Sequence, residues 1–422
     1  MLIQFSFKNF KSFKDETILD LSATRKTEFS DRVVKTGGES LLPVAAIYGA
    51  NASGKSNVYN AFACMTKFVL DSFNYGDEEE EFYVARPKPF LFSDDTKDEE
   101  TSFEVYFTIP SDKKERVYNY GFCVDKDHIT EEWMNSRAKT SHEFTSIFYR
   151  GEKERSFDGL TDANKRNIES ALNKQSLIVS LGAKLRVKQC KLVRDWFLAN
   201  KLTDFANPIT SFFMARRLPT GFIDNPDVRA NVIQYFSTFD ESIKDFSVKK
   251  IPIDDSDGKR DTYKIYAIHK KNDSDETIKI PLEEESAGTL KMFALYPELQ
   301  DVLQNGSVFF IDELNARLHP LLVRNFILTF LNPQINKKHA QLIFTLHDVW
   351  QLSTKPVRLL RRDEIWFTEK NNQGVSSLYS LSDFIDEDGS KIRKDENYEI
   401  NYLLGNYGAI PELRTIDVLQ EE

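Results

Sequence analysis

Residues 43–60 read PVAAIYGANASGKSNVYN, and within them Gly49-Ala50-Asn51-Ala52-Ser53-Gly54-Lys55-Ser56 is a complete G-x-x-x-x-G-K-S loop. The apolar run Val44–Tyr48 before it reads as a buried strand, and 56–65 after it reads as the opening of a helix. A phosphate cradle needs that order. Small residues let backbone N–H groups curl around a β-phosphate, and the helix N-terminus adds partial positive charge. Gly49, Asn51, Ala52, Ser53, Gly54, Lys55, Ser56 and Asn57 are therefore the candidate nucleotide contacts. In such a loop Lys55 reaches the β- and γ-phosphates, and the Ser56 hydroxyl ligates Mg²⁺.

Three later stretches fit the same site. Val308-Phe309-Phe310-Ile311-Asp312-Glu313 is an apolar run ending in two carboxylates, the form of a parallel strand that delivers acids at its C-terminal edge. Asp312 is expected to hold the Mg²⁺ shell and Glu313 to polarise the attacking water. Leu342-Ile343-Phe344-Thr345-Leu346-His347 repeats the design, and His347 suits a sensor of the γ-phosphate. Glu285-Ser286-Ala287-Gly288-Thr289 places small residues before a helical stretch at 290–303, a second N-terminus suited to an anion.

With 422 residues there is core enough for two or three domains. The net charge of −10 gives no general attraction to nucleic acid or anionic membrane, and no apolar run approaches a membrane span. Cys64, Cys123 and Cys190 are far apart and form no C-x-x-C, which with the missing signal segment predicts inert thiols in a cytoplasmic protein. The 33 phenylalanines predict aromatic packing between sheets.

Alternation predicts strands at 2–7, 17–21, 103–109, 117–124, 147–149, 263–268 and 277–281. Helical spacing predicts helices within 163–200 and across 227–246. The acidic runs at 77–81 and 254–258 read as solvated turns; the second lacks a ligand at the first position of a calcium loop. No heptads are sustained enough for a long coiled coil. The stretch 393–411 leaves two readings open, a tail packed on the sheet or a docking segment.

Taken together, NFKSF at 9–13, GANASGKSN at 49–57, EESAGT at 284–289, FFIDELNARLHP at 309–320, QLIFTLHD at 341–348, RRDEIWFTEK at 361–370 and GNYGAIP at 405–411 resemble the AAA/ABC-type ATPases of the OLD/SMC-like branch. Within it they look most like the RloA, AbiLi and AriA group, the last being the ATPase of the PARIS anti-phage system. The resemblance covers both ends of the chain and is loose between about residues 125 and 280. It implies an α/β fold: an ABC-ATPase head with a mixed P-loop sheet, an antiparallel β subdomain and a short helical insertion. The expected division is 1–125 for an N-terminal lobe, 126–280 for a mixed insertion and 281–422 for a C-terminal lobe.

The resemblance also implies ATP and Mg²⁺ as cofactors, and hydrolysis of ATP using Lys55, Glu313 and His347. Ser286 and Gly288 would contact the γ-phosphate bound by another protomer, with 315–319 as the loop between protomers. A homodimer or higher oligomer follows, without membrane. The group further implies a role in prokaryotic anti-phage defence, with a separate effector such as a TOPRIM-type nuclease, triggered by a phage protein or nucleic acid. No glutamine can be placed as the usual water-contacting residue, although Gln175 is one option. The stretch after Glu313 reads Leu-Asn-Ala-Arg-Leu-His-Pro where many ABC proteins carry Pro-Thr and Leu-Asp, which leaves communication between half-sites open. The alternative function is a DNA-repair, SMC-like ATPase clamping nucleic acid directly, with 184–194 as its basic patch. A stand-alone metal nuclease finds no further acidic cluster.

Overall fold

The computed structural model describes residues 1–75, 82, 85–109, 112–205, 207, 218–219, 221–237, 240–253, 260–272, 274–355, 357–385 and 392–411. The acidic runs at 77–81 and 254–258 lie outside the described residues.

One six-stranded sheet carries the phosphate loop. Its order is β11 (Lys201–Asp204), β15 (Val308–Asp312), β16 (Gln341–Thr345), β5 (Val44–Tyr48), β17 (Ile365–Lys370) and β18 (Ser376–Ser380). The first five are parallel; β18 returns antiparallel. Every residue of β5, β15 and β16 is buried, as strands covered on both faces must be.

The pleat divides these side chains between two cores. Ala45, Ile47, Val308, Phe310 and Ile343 point to one side, and Val44, Ala46, Phe309, Ile311, Leu342 and Phe344 to the other. On the first side lies α1 (Lys55–Asp71). Above it is a seven-stranded antiparallel sheet ordered β10 (Arg155–Ser156), β9 (Thr145–Arg150), β8 (Ile129–Arg137), β7 (Val117–Val124), β6 (Thr101–Thr108), β1 (Leu2–Lys8) and β2 (Thr17–Asp20). Phe62 of α1 meets Phe5 edge-on at 5.2 Å and Phe310 at 6.0 Å, so the abundant phenylalanines do pack between sheets. A small hairpin, β3 (Val34–Thr36) and β4 (Glu39–Leu41), precedes β5.

The helical stretch expected within 163–200 is three helices, α2 (Asp162–Ala171), α3 (Ile178–Lys184) and α4 (Lys188–Ala199). On the opposite side of the core sheet lie α5 (Pro226–Ser237), α6 (Ala287–Asn305), α7 (Pro320–Leu331), α8 (Tyr398–Leu403) and a three-stranded sheet. The order of that sheet is β12 (Ile243–Ile253), β13 (Arg260–Lys270) and β14 (Thr277–Pro281). Tyr402 stacks on Phe367 at 5.2 Å, and Tyr398 and Tyr407 are buried, so the 393–411 stretch packs on the sheet.

Two expectations need correction. The helix expected across 227–246 ends at Ser237; after it Ser242 N–H bonds the Asp240 carboxylate in a turn, and Ile243 begins a strand. Strand β8 was not expected, because its TEEW segment places Glu132 where an apolar residue would complete the alternation. Glu132 is fully buried, accepting from the N–H groups of Ile178 and Val179 and from the Tyr120 hydroxyl. The antiparallel sheet runs on past the expected boundary at 125/126, with β7 pairing β8 from Val117↔Arg137 to Val124↔Ile129. Likewise β11, inside the expected insertion, is an edge strand of the core sheet.

Candidate functional site

The C-terminal edge of the parallel sheet gathers the predicted residues. Register places Asp204, Asp312, Thr345, Ile47 and Trp366 in one row, so the loops that follow all open on one edge. Gly49 and Gly54 take φ of 150° and 119°, and Ala52 sits at 62°. A Cβ on Gly49 would lie 2.4 Å from the Thr368 carbonyl oxygen; one on Gly54 would lie 2.7 Å from Ser376 Oγ and 3.1 Å from the Phe13 ring. Only glycine fits either place.

Neighbouring strands brace the loop. The Ser53 and Thr368 hydroxyls share a 2.6 Å hydrogen bond, and Asn57 Nδ2 donates to Ser12 Oγ at 2.8 Å. Ser376 Oγ also donates to Ser12 Oγ at 2.8 Å. The 9–13 turn is itself pinned: buried Asn9 donates to the Thr96 and Glu99 carbonyls and accepts from Phe90 N–H. Helix α1 starts at Gly54 with no side-chain cap, which leaves its first amides to an incoming anion. Asn51 and Ala52 are exposed at the mouth.

Lys55 is buried, its ammonium donating to the carbonyls of Gly49 at 2.7 Å and Ala50 at 2.9 Å. Burial lowers its pKa to about 8, against the opposing pull of Asp312 and Glu313. Asp312 is buried at the end of β15, where the Thr345 hydroxyl donates to its Oδ1. The same Thr345 oxygen accepts Glu313 N–H at 2.9 Å, and Glu313 is left-handed, with φ 54°. One hydroxyl therefore sets both acids. His347 Nε2 stands 3.6 Å from Glu313 Oε1, ion-pair range but too long for a hydrogen bond. Burial and the nearby Lys55 hold the His347 pKa below its ordinary value, favouring a neutral ring near pH 7.

Ser286 caps α6, its Oγ accepting from Thr289 N–H at 3.1 Å, and its side chain is exposed. Gly288 faces the Arg317 carbonyl. These contacts lie within the α6 start and the 313–317 loop, not on the phosphate loop. Gln175 lies far from the role considered for it: half-buried between α2 and α3, its N–H donates to Asn173 Oδ1 and its side-chain amide to the Asp127 carbonyl.

Sequence reasoning missed Thr345 and Thr368 as bracing groups, and missed Lys291. The Lys291 ammonium donates to the carbonyls of Leu314 at 2.7 Å, Ala316 at 2.9 Å and Glu313 at 3.2 Å. Burial lowers its pKa to about 7.

Mg²⁺ fits the donors present. Ser56, in the first turn of α1, and Asp312, on the face of β15 turned to α1, offer a hydroxyl and a carboxylate, the hard oxygen ligands this ion takes. Among the described residues no group of three or more acids, histidines or cysteines could hold a metal, and no helix is long and apolar enough to cross a membrane.

A family model described as "AAA domain, putative AbiEii toxin, Type IV TA system" matches residues 44–349. No curated protein matches the chain. Among solved structures, the chain is similar to an SMC head bound to the C-winged helix domain of ScpA, at 16% identity and TM-score 0.41, covering 90% of this chain and 97% of that one. It is similar also to the SMC head domain from Thermotoga maritima, at 16% identity and TM-score 0.40, covering 90% and 98%.

Proposed function

The chain belongs to the AAA-domain family whose model matches it over residues 44–349, and on that premise we propose that it binds and hydrolyses ATP between two copies of itself, as the sensor or scaffold of a prokaryotic anti-phage system. The observation that carries hydrolysis is the gathering of Lys55, Asp312, Glu313 and His347 at one sheet edge beside an uncapped helix. The defence role, a separate effector and a cytoplasmic location are supported by the motif resemblance alone.

In this reading the phosphates settle on the α1 amides, and Lys55 leaves the Gly49 and Ala50 carbonyls for the β- and γ-phosphates. Ser56 and Asp312 would hold Mg²⁺, which would supply neutralisation of the phosphate charge. Glu313 orients a water and takes its proton as the water oxygen attacks the γ-phosphorus. The bond from that phosphorus to the β–γ bridging oxygen breaks, giving ADP and phosphate. Neutral His347 donates to a γ-phosphate oxygen. Ser286 and Gly288, whose contacts lie at the start of α6 and on the 313–317 loop, cap the γ-phosphate held by a second copy.

Phosphate release from Mg²⁺ATP tests this. Wild type should turn over, while Lys55→Ala and Glu313→Gln should fall at least ~100-fold. Wild-type release no faster than that of Glu313→Gln would overturn hydrolysis. Loss of phage restriction by Lys55→Ala in a plating assay supports the defence role, and wild-type plating by that variant rejects it. A second reading, direct clamping of nucleic acid, is favoured by the exposed Lys184, Arg186 and Lys188 around the α3–α4 turn. Salt-dependent DNA binding that stimulates hydrolysis would select it.

A further inference from the structure

Lys291 lies in the second turn of α6, on a helix whose first turn carries Ser286 and Gly288. A helical lysine ordinarily carries its ammonium to water. This one is only 6% exposed, and its Nζ lies 3.9 Å from the centre of the Phe205 ring. All three of its N–H donors are spent on carbonyls of Glu313, Leu314 and Ala316. A cation that holds backbone carbonyls fixes the path of a chain rather than the charge of a side chain.

The path it fixes is an unusual one. Glu313 and Arg317 are both left-handed, at φ 54° and 60°, a strained conformation for a non-glycine residue that persists only when neighbours enforce it. Lys291 grips the segment between them. A second contact closes the far end: a Cβ built on Gly288 would lie 3.4 Å from the Arg317 carbonyl oxygen. The start of α6 therefore meets the loop at Lys291 and again at Gly288, and the loop begins with the carboxylate proposed to act on water.

We propose that Lys291 is a positioning residue that couples the N-terminus of α6 to the Glu313 carboxylate through the backbone of residues 313–316. The assignment rests on the hydrolytic reading given above and deepens it. A nucleotide held by one copy and capped by Ser286 of the other loads the start of α6, and Lys291 passes that load to Glu313 of the same chain. Occupancy of one half-site thereby sets the geometry of the second.

The test compares the full-length chain with its Lys291→Met and Lys291→Gln variants in three measurements: ATP turnover, ATP affinity and hydrogen exchange at 313–319. Lys291→Met should lower kcat at least ~10-fold, the effect of displacing a catalytic group by a fraction of an ångström. Its KM and ATP affinity should stay within about threefold, because the phosphate loop is untouched. Exchange at 313–319 should rise, and Lys291→Gln, which keeps two donors, should fall between. If Lys291→Met does not fold, the glutamine variant carries the same comparison. The proposal is overturned by a kcat within about twofold of wild type, or by kcat and affinity falling together with the folded fraction. Should wild type itself fail to hydrolyse ATP, the hydrolytic reading fails separately, and unchanged exchange at 313–319 would then overturn this one.

Discussion

Replacing Thr345 by valine isolates the single hydroxyl that sets both acids. The two side chains have nearly the same shape, so packing in the fully buried β16 is preserved. What is lost is polar. Asp312 Oδ1 loses a donor, and a hydrogen bond to a charged group contributes about 1.5–3 kcal/mol. Glu313 N–H, half-buried, loses its 2.9 Å acceptor, and leaving such a donor unpaired costs up to about 1–3 kcal/mol. Because the two losses share one oxygen they overlap, and a total of about 2–4 kcal/mol is expected in denaturant unfolding. Glu313 then has one restraint fewer on its left-handed backbone, and its carboxylate should drift from the water. A displacement near 1 Å corresponds to a fall in kcat of about 100-fold, with KM for ATP little changed. Steady-state phosphate release and urea denaturation read the two effects. Stability within about 0.5 kcal/mol of wild type and turnover within about twofold would refute the reasoning.

Other perturbations follow from contacts elsewhere. Gly54→Ala places a methyl 2.7 Å from Ser376 Oγ at a φ of 119°, and should abolish nucleotide binding, measured by titration with a fluorescent ATP analogue. Gln341→Leu removes the buried amide that donates to the Leu2 and Leu42 carbonyls and accepts Leu2 N–H; it should cost about 3 kcal/mol or more in denaturant unfolding. Burial raises the Glu364 pKa to about 8, so in the folded state it keeps a proton that the unfolded chain gives up near pH 4.5. Its contribution is present below pH 4.5 and is lost as pH rises toward 8. The stability of wild type relative to Glu364→Gln should therefore fall between pH 5 and 8, and a constant difference would contradict the assignment.

The site was legible where chemistry is written in contiguous residues. The glycines, Lys55 and Ser56 sit in one loop, and Asp312 and His347 each end an apolar run that only a buried strand explains. Thr345 was readable as strand but not as brace, because its partners Asp312 and Glu313 are 33 and 32 residues away and only strand register brings them together. Lys291 was hidden for a plainer reason: a lysine on a helix is read as solvated until the carbonyls above it are seen. Strand β8 was missed because buried Glu132 breaks the apolar alternation, its carboxyl being matched by Tyr120 and two amides from another element. The limits of α5 failed where local turn chemistry at Asp240 outweighed helical spacing.

The central claim, a triphosphate shared between two copies, is tested most directly by solution mass. The Glu313→Gln chain should bind ATP without releasing it and double its mass, or assemble further, when Mg²⁺ATP is added. Adding Ser286→Arg to that chain should leave it able to bind ATP but fixed at the mass of one subunit. If Glu313→Gln binds ATP fully and stays a single subunit, or if Ser286→Arg assembles as readily, the pocket belongs to one chain and the account is wrong.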